Sequence, residues 1–272
     1  MEIAQETLAI IEANEYYAFD KKIALSENPD ALRKVIVYSP QKVACAVSEQ
    51  TTLTGNNACS FRVDLLDSLT SAKQNGLGKT AVLNFANAFR AGGGFLRGAI
   101  AQEEAICRCS SLYASISSEA ASEMYEYNRS HVTPEGSDYM LLSPDVVVFR
   151  DKDCNLLQQP YTVSVLTAAA PNLYGEAAEI EELRLADVMR LKIKNIASVA
   201  AQNRYDTLIL GAWGCGAFGH NAANVAKYFY DVFIGDNYKR FFKRIVFSVL
   251  ARDEYDYNYH QFSERFKNEV DK

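Results

Sequence analysis

Residues 80–107 read TAVLNFANAFRAGGGFLRGAIAQEEAIC, a stretch that admits few folds. A short apolar run, Ala81-Val82-Leu83, has the length and flanks of a buried strand. The chain then passes an amide-rich step, Asn84 to Asn87, into three consecutive glycines, Gly92, Gly93 and Gly94. With no Cβ on any of them, the backbone can take φ > 0 and lie directly against another molecule. Gln102-Glu103-Glu104 follow, heading an apolar-periodic segment with Ile106, Leu112 and Ile116 that predicts one helix running toward Ser118. Strand, glycine turn and helix in that order put the loop at a strand's carboxyl end, where open α/β sheets hold ligands. Backbone N–H groups in such a loop make a concavity for anions or hydroxyls. Two adjacent carboxylates beside it are what cleavage at an oxocarbenium-like sugar centre uses, one to give a proton and one to hold the sugar. An acidic pair in a first helical turn also has a plainer use, complementing the exposed N–H charge there.

The same order returns near the carboxyl end of the chain. Thr207 to Leu210 predicts a buried strand, and it delivers Gly211-Ala212-Trp213-Gly214-Cys215-Gly216-Ala217-Phe218-Gly219 ahead of a helix over Asn221 to Phe233. Such a loop and helix start can hold a diphosphate through backbone N–H groups without any lysine. Trp213 reads as core packing at the end of an apolar run. Cys215 lacks an identifiable base to make it a nucleophile, so it reads as a small filler. His220 reads as a residue of the helix start.

Elsewhere the pattern alternates. Residues 2–17 predict an amphipathic helix, 34–38 a first strand, 51–57 a polar turn and Phe61 to Leu69 a helix closed by Asn75-Gly76. Residues 120–140 are polar and tyrosine-rich and read as a surface insertion. Val146 to Phe149 and Tyr161 to Leu166 predict strands, the second leading to small residues at Ala168 to Asn172. The longest helical pattern covers 179–203, a last strand Val246 to Leu250, and a closing helix 258–270. With no repeat and no linker, this alternation predicts a single three-layer α/β/α domain over 1–272.

Charge and cysteine usage exclude several classes. A net charge of −6 argues against general nucleic-acid binding, which rests on basic patches. The six cysteines form no Cys-x-x-Cys pair, and His131, His220 and His260 stand far apart, so no metal is expected, and acid/base chemistry on a carboxyl pair needs no organic cofactor. No run approaches the roughly 20 apolar residues of a membrane helix, and the N-terminus has no signal-peptide core, which leads to the expectation of a soluble, reducing, cytoplasmic setting.

The Gly-Gly-Gly, spacer, Gln-Glu-Glu order resembles the signature of the poly(ADP-ribose) glycohydrolases, and Asn84-Phe85-Ala86-Asn87 resembles the Asn-Ala-Ala-Asn segment of macrodomains. Glu6-Thr7-Leu8, Ser143-Pro144-Asp145-Val146, Ala170-Pro171-Asn172 and the 211–216 loop are similar to the bacterial-type members in the same order, so the likeness spans nearly the whole chain. It implies a macrodomain-like fold with a mixed central sheet, an N-terminal accessory portion over about 1–75 with a helical extension, and a core over about 76–272. It further implies that Glu104 is the catalytic acid/base and that Glu103 holds ribose hydroxyls beside it. Asn87 falls at the distal ribose. Gly92, Gly93, Gly94 and Gln102 line the ligand, Gly214, Cys215, Gly216 and Ala217 wrap the phosphates, and Phe218 sets its ring against the ribose. The implied ligand is ADP-ribose or its polymer, cleaved from the chain end, with ADP-ribosylated proteins as further partners. A hydrolase of mono-ADP-ribose on protein or nucleic acid, and a reader that binds without turnover, stand as the alternatives. One departure bears on substrate choice: the bacterial-type pattern has Asn-Pro before the glycines, and this chain has Arg90-Ala91, which frees φ at the loop start.

Overall fold

A computed structural model describes residues 2–49, 55 and 58–270. The turn expected over 51–57 lies, apart from residue 55, outside the described residues. A seven-stranded sheet carries the strands in the order β3-β6-β7-β5-β8-β9-β4. These are Ile36–Tyr38 (β3), Ser60–Asp64 (β4), Thr80–Phe85 (β5), Met140–Arg150 (β6), Leu156–Ala168 (β7), Thr207–Leu210 (β8) and Arg244–Ser248 (β9). From β7 to β4 every pairing is parallel, whereas β6 runs antiparallel to both β7 and β3, so the sheet is mixed.

Side-chain alternation along the strands sorts the core into two layers. Ala81 and Leu83 of β5 join a cluster with Leu208, Leu210 and Phe247 under the helices Glu182–Gln202 (α7), Ala222–Tyr230 (α8) and Tyr257–Phe266 (α9). Val82 points the other way and packs with Val165, Ile209 and Val246 against Ser68–Asn75 (α3), Gln102–Cys109 (α4), Leu112–Ile116 (α5) and Glu119–Ser130 (α6). Period-two alternation on a sheet covered on both faces gives the expected three layers.

The N-terminal part is more than a helix. After Glu2–Ala13 (α1), a hairpin of Glu15–Ala18 (β1) and Lys21–Ala24 (β2) builds a third small core on Phe149. Helix Pro40–Glu49 (α2) lies on the α7 side of the sheet. Both β3 and β4 precede residue 76 and sit in the main sheet, so a division near 75 cuts through that sheet.

Three local expectations differ from the structure. Residues 60–64 form a strand, not a helix, because they pair in parallel with β9 from Ser60↔Arg244 to Asp64↔Ser248, and the helix begins only where Asp67 caps it. The helix after Gln102 breaks at Ser110-Ser111: the Ser111 N–H donates to the Val147 carbonyl and Val147 N–H to Ser111 Oγ, so pairing with β6 displaces helix propagation. Residues 119–130 form a helix rather than a surface insertion, capped by Ser118 and burying Met124, Tyr125 and Asn128.

Candidate active site

Strand β5 ends at Phe85 in the middle of the sheet, and the glycine turn that follows folds back over the first turn of α4. Gly92 and Gly93 have φ of +66° and +55°, values that favour glycine. At Gly93 the need is steric as well: a Cβ there would stand 2.5 Å from Glu104 Oε1 and 3.0 Å from Glu103 Oε2. The loop therefore presses bare backbone against the carboxyl pair.

The two carboxyls are buried, 3% and 7% exposed for Glu103 and Glu104, and are held differently. Glu103 is gripped at both oxygens: the Asn87 N–H donates to Oε2 at 2.8 Å and the Asn84 amide to Oε1 at 3.2 Å. Glu104 accepts from the Gly94 N–H at Oε1, 2.8 Å, while its Oε2 has no partner among the described residues. Burial pushes the Glu103 carboxyl up to about 8, against the downward pull of the Asn87 and Asn84 hydrogen bonds and with the nearby Glu104 adding to the rise. Its folded value thus stands above the ordinary 4.5, so the folded state binds the proton more tightly. The stability this gives is complete below about 4.5 and is lost as pH rises through about 8. Glu103→Gln, which cannot ionise, is expected to flatten that part of the stability–pH curve in denaturant titrations. An unchanged fall in the variant would locate the titration elsewhere.

Gln102 stands at the cavity wall, but its amide is spent on the scaffold. Its Oε1 accepts from the Phe85 N–H at 2.9 Å, and its Nε2 donates to the Leu83 carbonyl at 2.8 Å and Ser68 Oγ at 3.1 Å. It pins the start of α4 to β5 and α3. Gln102→Ala leaves a strand N–H and carbonyl without these partners and is expected to cost about 1–3 kcal/mol, seen as a lower denaturant midpoint at unchanged m.

The second glycine loop stands beside the first because β8 pairs with β5. Gly214 has φ of +81°, and a Cβ there would strike the His220 ring at 2.6 Å. His220 is buried, and its Nε2–H donates to the Pro171 carbonyl at 2.7 Å, tying this loop to the turn after β7. Burial lowers its pKa, so the ring stays neutral. Trp213 is buried and donates from Nε1 to the Ala168 carbonyl. Burial pushes the Cys215 thiol up to about 12, which suits a filler rather than a nucleophile.

A cavity of about 730 Å³ runs between the loops, within the size range of small-molecule sites. Glu103, Glu104, Asn87, Gly93, Gly94, Gln102, Gly214, Gly216, Ala217 and Phe218 all line it. Gly92 and Cys215 do not: Gly92 turns the chain against the Tyr113 ring, and Cys215 packs on the core. Arg90 is exposed and acts through its backbone, its N–H donating to Asn87 Oδ1 and its carbonyl accepting from Gly93. The sequence reading gave no role to Asn84, although it begins the amide-rich step, nor to Ser248, Val249 and Leu250, which line the cavity from the end of β9. Among the described residues no cluster of His, Cys, Asp or Glu could hold a metal ion, and no helix is long and apolar enough to cross a membrane.

Residues 4–151 match the family described as microbial-type PARG, catalytic domain. Among solved structures, poly(ADP-ribose) glycohydrolase from Thermomonospora curvata is 32% identical over 97% of this chain and 98% of its own, with a TM-score of 0.89. The same enzyme bound to the inhibitor ADP-HPD is similar with a TM-score of 0.84 at the same identity and coverage. The Deinococcus radiodurans enzyme in complex with ADP-ribose is 29% identical over 88% of this chain and 96% of its own, with a TM-score of 0.80. No match was found among curated proteins.

Proposed function

The chain belongs to the microbial-type poly(ADP-ribose) glycohydrolase family, and on that footing we propose that it hydrolyses the ribose–ribose O-glycosidic bonds of poly(ADP-ribose) and releases ADP-ribose. The observation that carries the reading is the asymmetric carboxyl pair: Glu103 fixed at both oxygens, Glu104 fixed at one and buried without a partner at the other among the described residues, at the wall of a cavity bounded by two glycine loops. In this reading Glu104 protonates the departing hydroxyl oxygen as the C1″–O bond breaks, then takes a proton from the water that attacks C1″. Glu103, neutral below about pH 8, holds a ribose hydroxyl beside it. Gly93 and Gly94 bring backbone to the ribose, Asn87 and Phe218 bound it, and the 214–217 backbone holds the diphosphate.

We place release at the chain end, with ADP-ribosylated proteins as the carriers of the polymer and a reducing, cytoplasmic setting, which the six free cysteines support. Product length on long polymer tests the mode of cleavage. Free ADP-ribose as the sole early product supports release from the end, and early short oligomers would refute it.

A further inference from the structure

Cys109 and Cys154 both line the ligand cavity, and among the described residues no other cysteine does. Cys109 ends α4, the helix that forms one wall, and Cys154 stands in the turn between β6 and β7. The two meet at one atom. The Asp151 carbonyl accepts from Cys109 Sγ at 3.2 Å and from the Cys154 N–H at 3.0 Å. The two thiols are also hydrogen-bonding neighbours of each other. A disulfide forms only between cysteines that the backbone has already brought close, and this fold has done so with both thiols free.

The turn is held in place for that meeting. Asp151 Oδ1 accepts from the N–H groups of Asp153 and Asn155, both at 2.9 Å, and the buried Arg150 donates to the Cys154 carbonyl at 2.7 Å. Cys154 itself has a φ of +67°, a left-handed backbone that suits glycine or asparagine better. Turn geometry alone would not select a cysteine there. Access to the pair is graded. Cys109 is buried and Cys154 half-buried, so a small solute reaches Cys154 first. Burial, with the neighbouring Cys154 adding to it, pushes the Cys109 thiol up to about 12, so it keeps its proton until a partner sulfur is activated. Cys107, on the same helix, is wholly buried and lines no part of the cavity.

We propose that Cys109 and Cys154 form a reversible dithiol–disulfide site through which a peroxide reshapes the wall of the ligand cavity. With hydrogen peroxide as oxidant, the Cys154 sulfur takes one oxygen: an S–O bond forms, the O–O bond breaks, and water leaves. The Cys109 sulfur then attacks the Cys154 sulfenic acid. An S–S bond forms, the S–O bond breaks, and the departing hydroxide takes the Cys109 proton as a second water. Two thiols and one peroxide thus give one disulfide and two waters, the sulfurs losing the two electrons that the peroxide gains. The bond draws the sulfurs to about 2.05 Å and pulls the turn onto α4, closing up the wall between them. The disulfide stands without the glycohydrolase reading, and its effect on ADP-ribose rests on that reading.

The test treats wild type, Cys109→Ala and Cys154→Ser with hydrogen peroxide under native conditions and maps the peptides by mass. Wild type is expected to lose two hydrogens and yield a linked pair of peptides carrying Cys109 and Cys154, undone by dithiothreitol. Cys154→Ser is expected to give no such link, and Cys109→Ala to stop at a Cys154 sulfenic acid that dimedone traps. Oxidised wild type is expected to bind ADP-ribose at least about fivefold more weakly than reduced, whereas peroxide leaves the affinity of Cys154→Ser where it was. Thiols that stay unlinked while peroxide oxidises other residues refute the site. A linked pair with unchanged ADP-ribose affinity refutes its hold on the cavity. Reduced wild type that binds no ADP-ribose would overturn the ligand reading, and the peptide map would still decide for or against the disulfide.

Discussion

Glu104→Gln is expected to lower poly(ADP-ribose) turnover by at least about a hundredfold while leaving ADP-ribose affinity within a few-fold. The substitution keeps the side chain's shape and the acceptor that Gly94 N–H uses at Oε1, 2.8 Å away, but puts an amide where a carboxyl could exchange a proton. The unpartnered Oε2 is the atom whose chemistry changes. Turnover of defined polymer and ADP-ribose binding, measured on both proteins, give the answer. A variant that cleaves like wild type would remove Glu104 from the acid/base role. Wild type that cleaves mono-ADP-ribosylated protein or nucleic acid but not polymer would establish the first alternative reading, and binding without any turnover would establish a reader.

Gly93→Ala is expected to be nearly as damaging to activity, through geometry alone. At φ of +55° an alanine is strained, by about 1–2 kcal/mol, which a domain this size should survive. The larger effect is that its Cβ would stand 2.5 Å from Glu104 Oε1, so either the loop or the acid must move. Displacing a catalytic group by about 1 Å costs on the order of a hundredfold. The expected outcome is a cooperative unfolding transition close to wild type with kcat reduced by about that factor. A variant with normal kcat would show that the loop can withdraw without disturbing the carboxyl.

Much of this site could be read from residues 80–107 and 207–219 because each packs strand, turn and helix start into one continuous segment. Glycines are informative there because the fold leaves no room for a Cβ at Gly93 or Gly214. What local pattern missed was decided by distant partners. Phe61, Leu65, Leu66 and Leu69 have helical spacing, yet the segment pairs with β9, more than 180 residues later, and tertiary pairing overrides local periodicity. Gln102 reads as a ligand contact from its place in the motif, and only the proximity of Leu83 and Phe85 shows that its amide holds β5.

The position of β9 between β8 and β4 has a consequence for how the protein comes into being. Translation completes both glycine loops by residue 219, but Ser248 to Leu250, which wall the cavity, are made later, and β4 waits for β9 as its sheet neighbour. Phe262 and Phe266 of α9 then close over Phe247. A nascent chain still tethered at the ribosome around residue 230 thus lacks one wall of its cleft, and long-range parallel pairing of this kind forms slowly. A chain that stops short of β9 lacks that wall, and deletions that remove Ser248 to Leu250 are expected to weaken ligand binding as deletions within the glycine loops do.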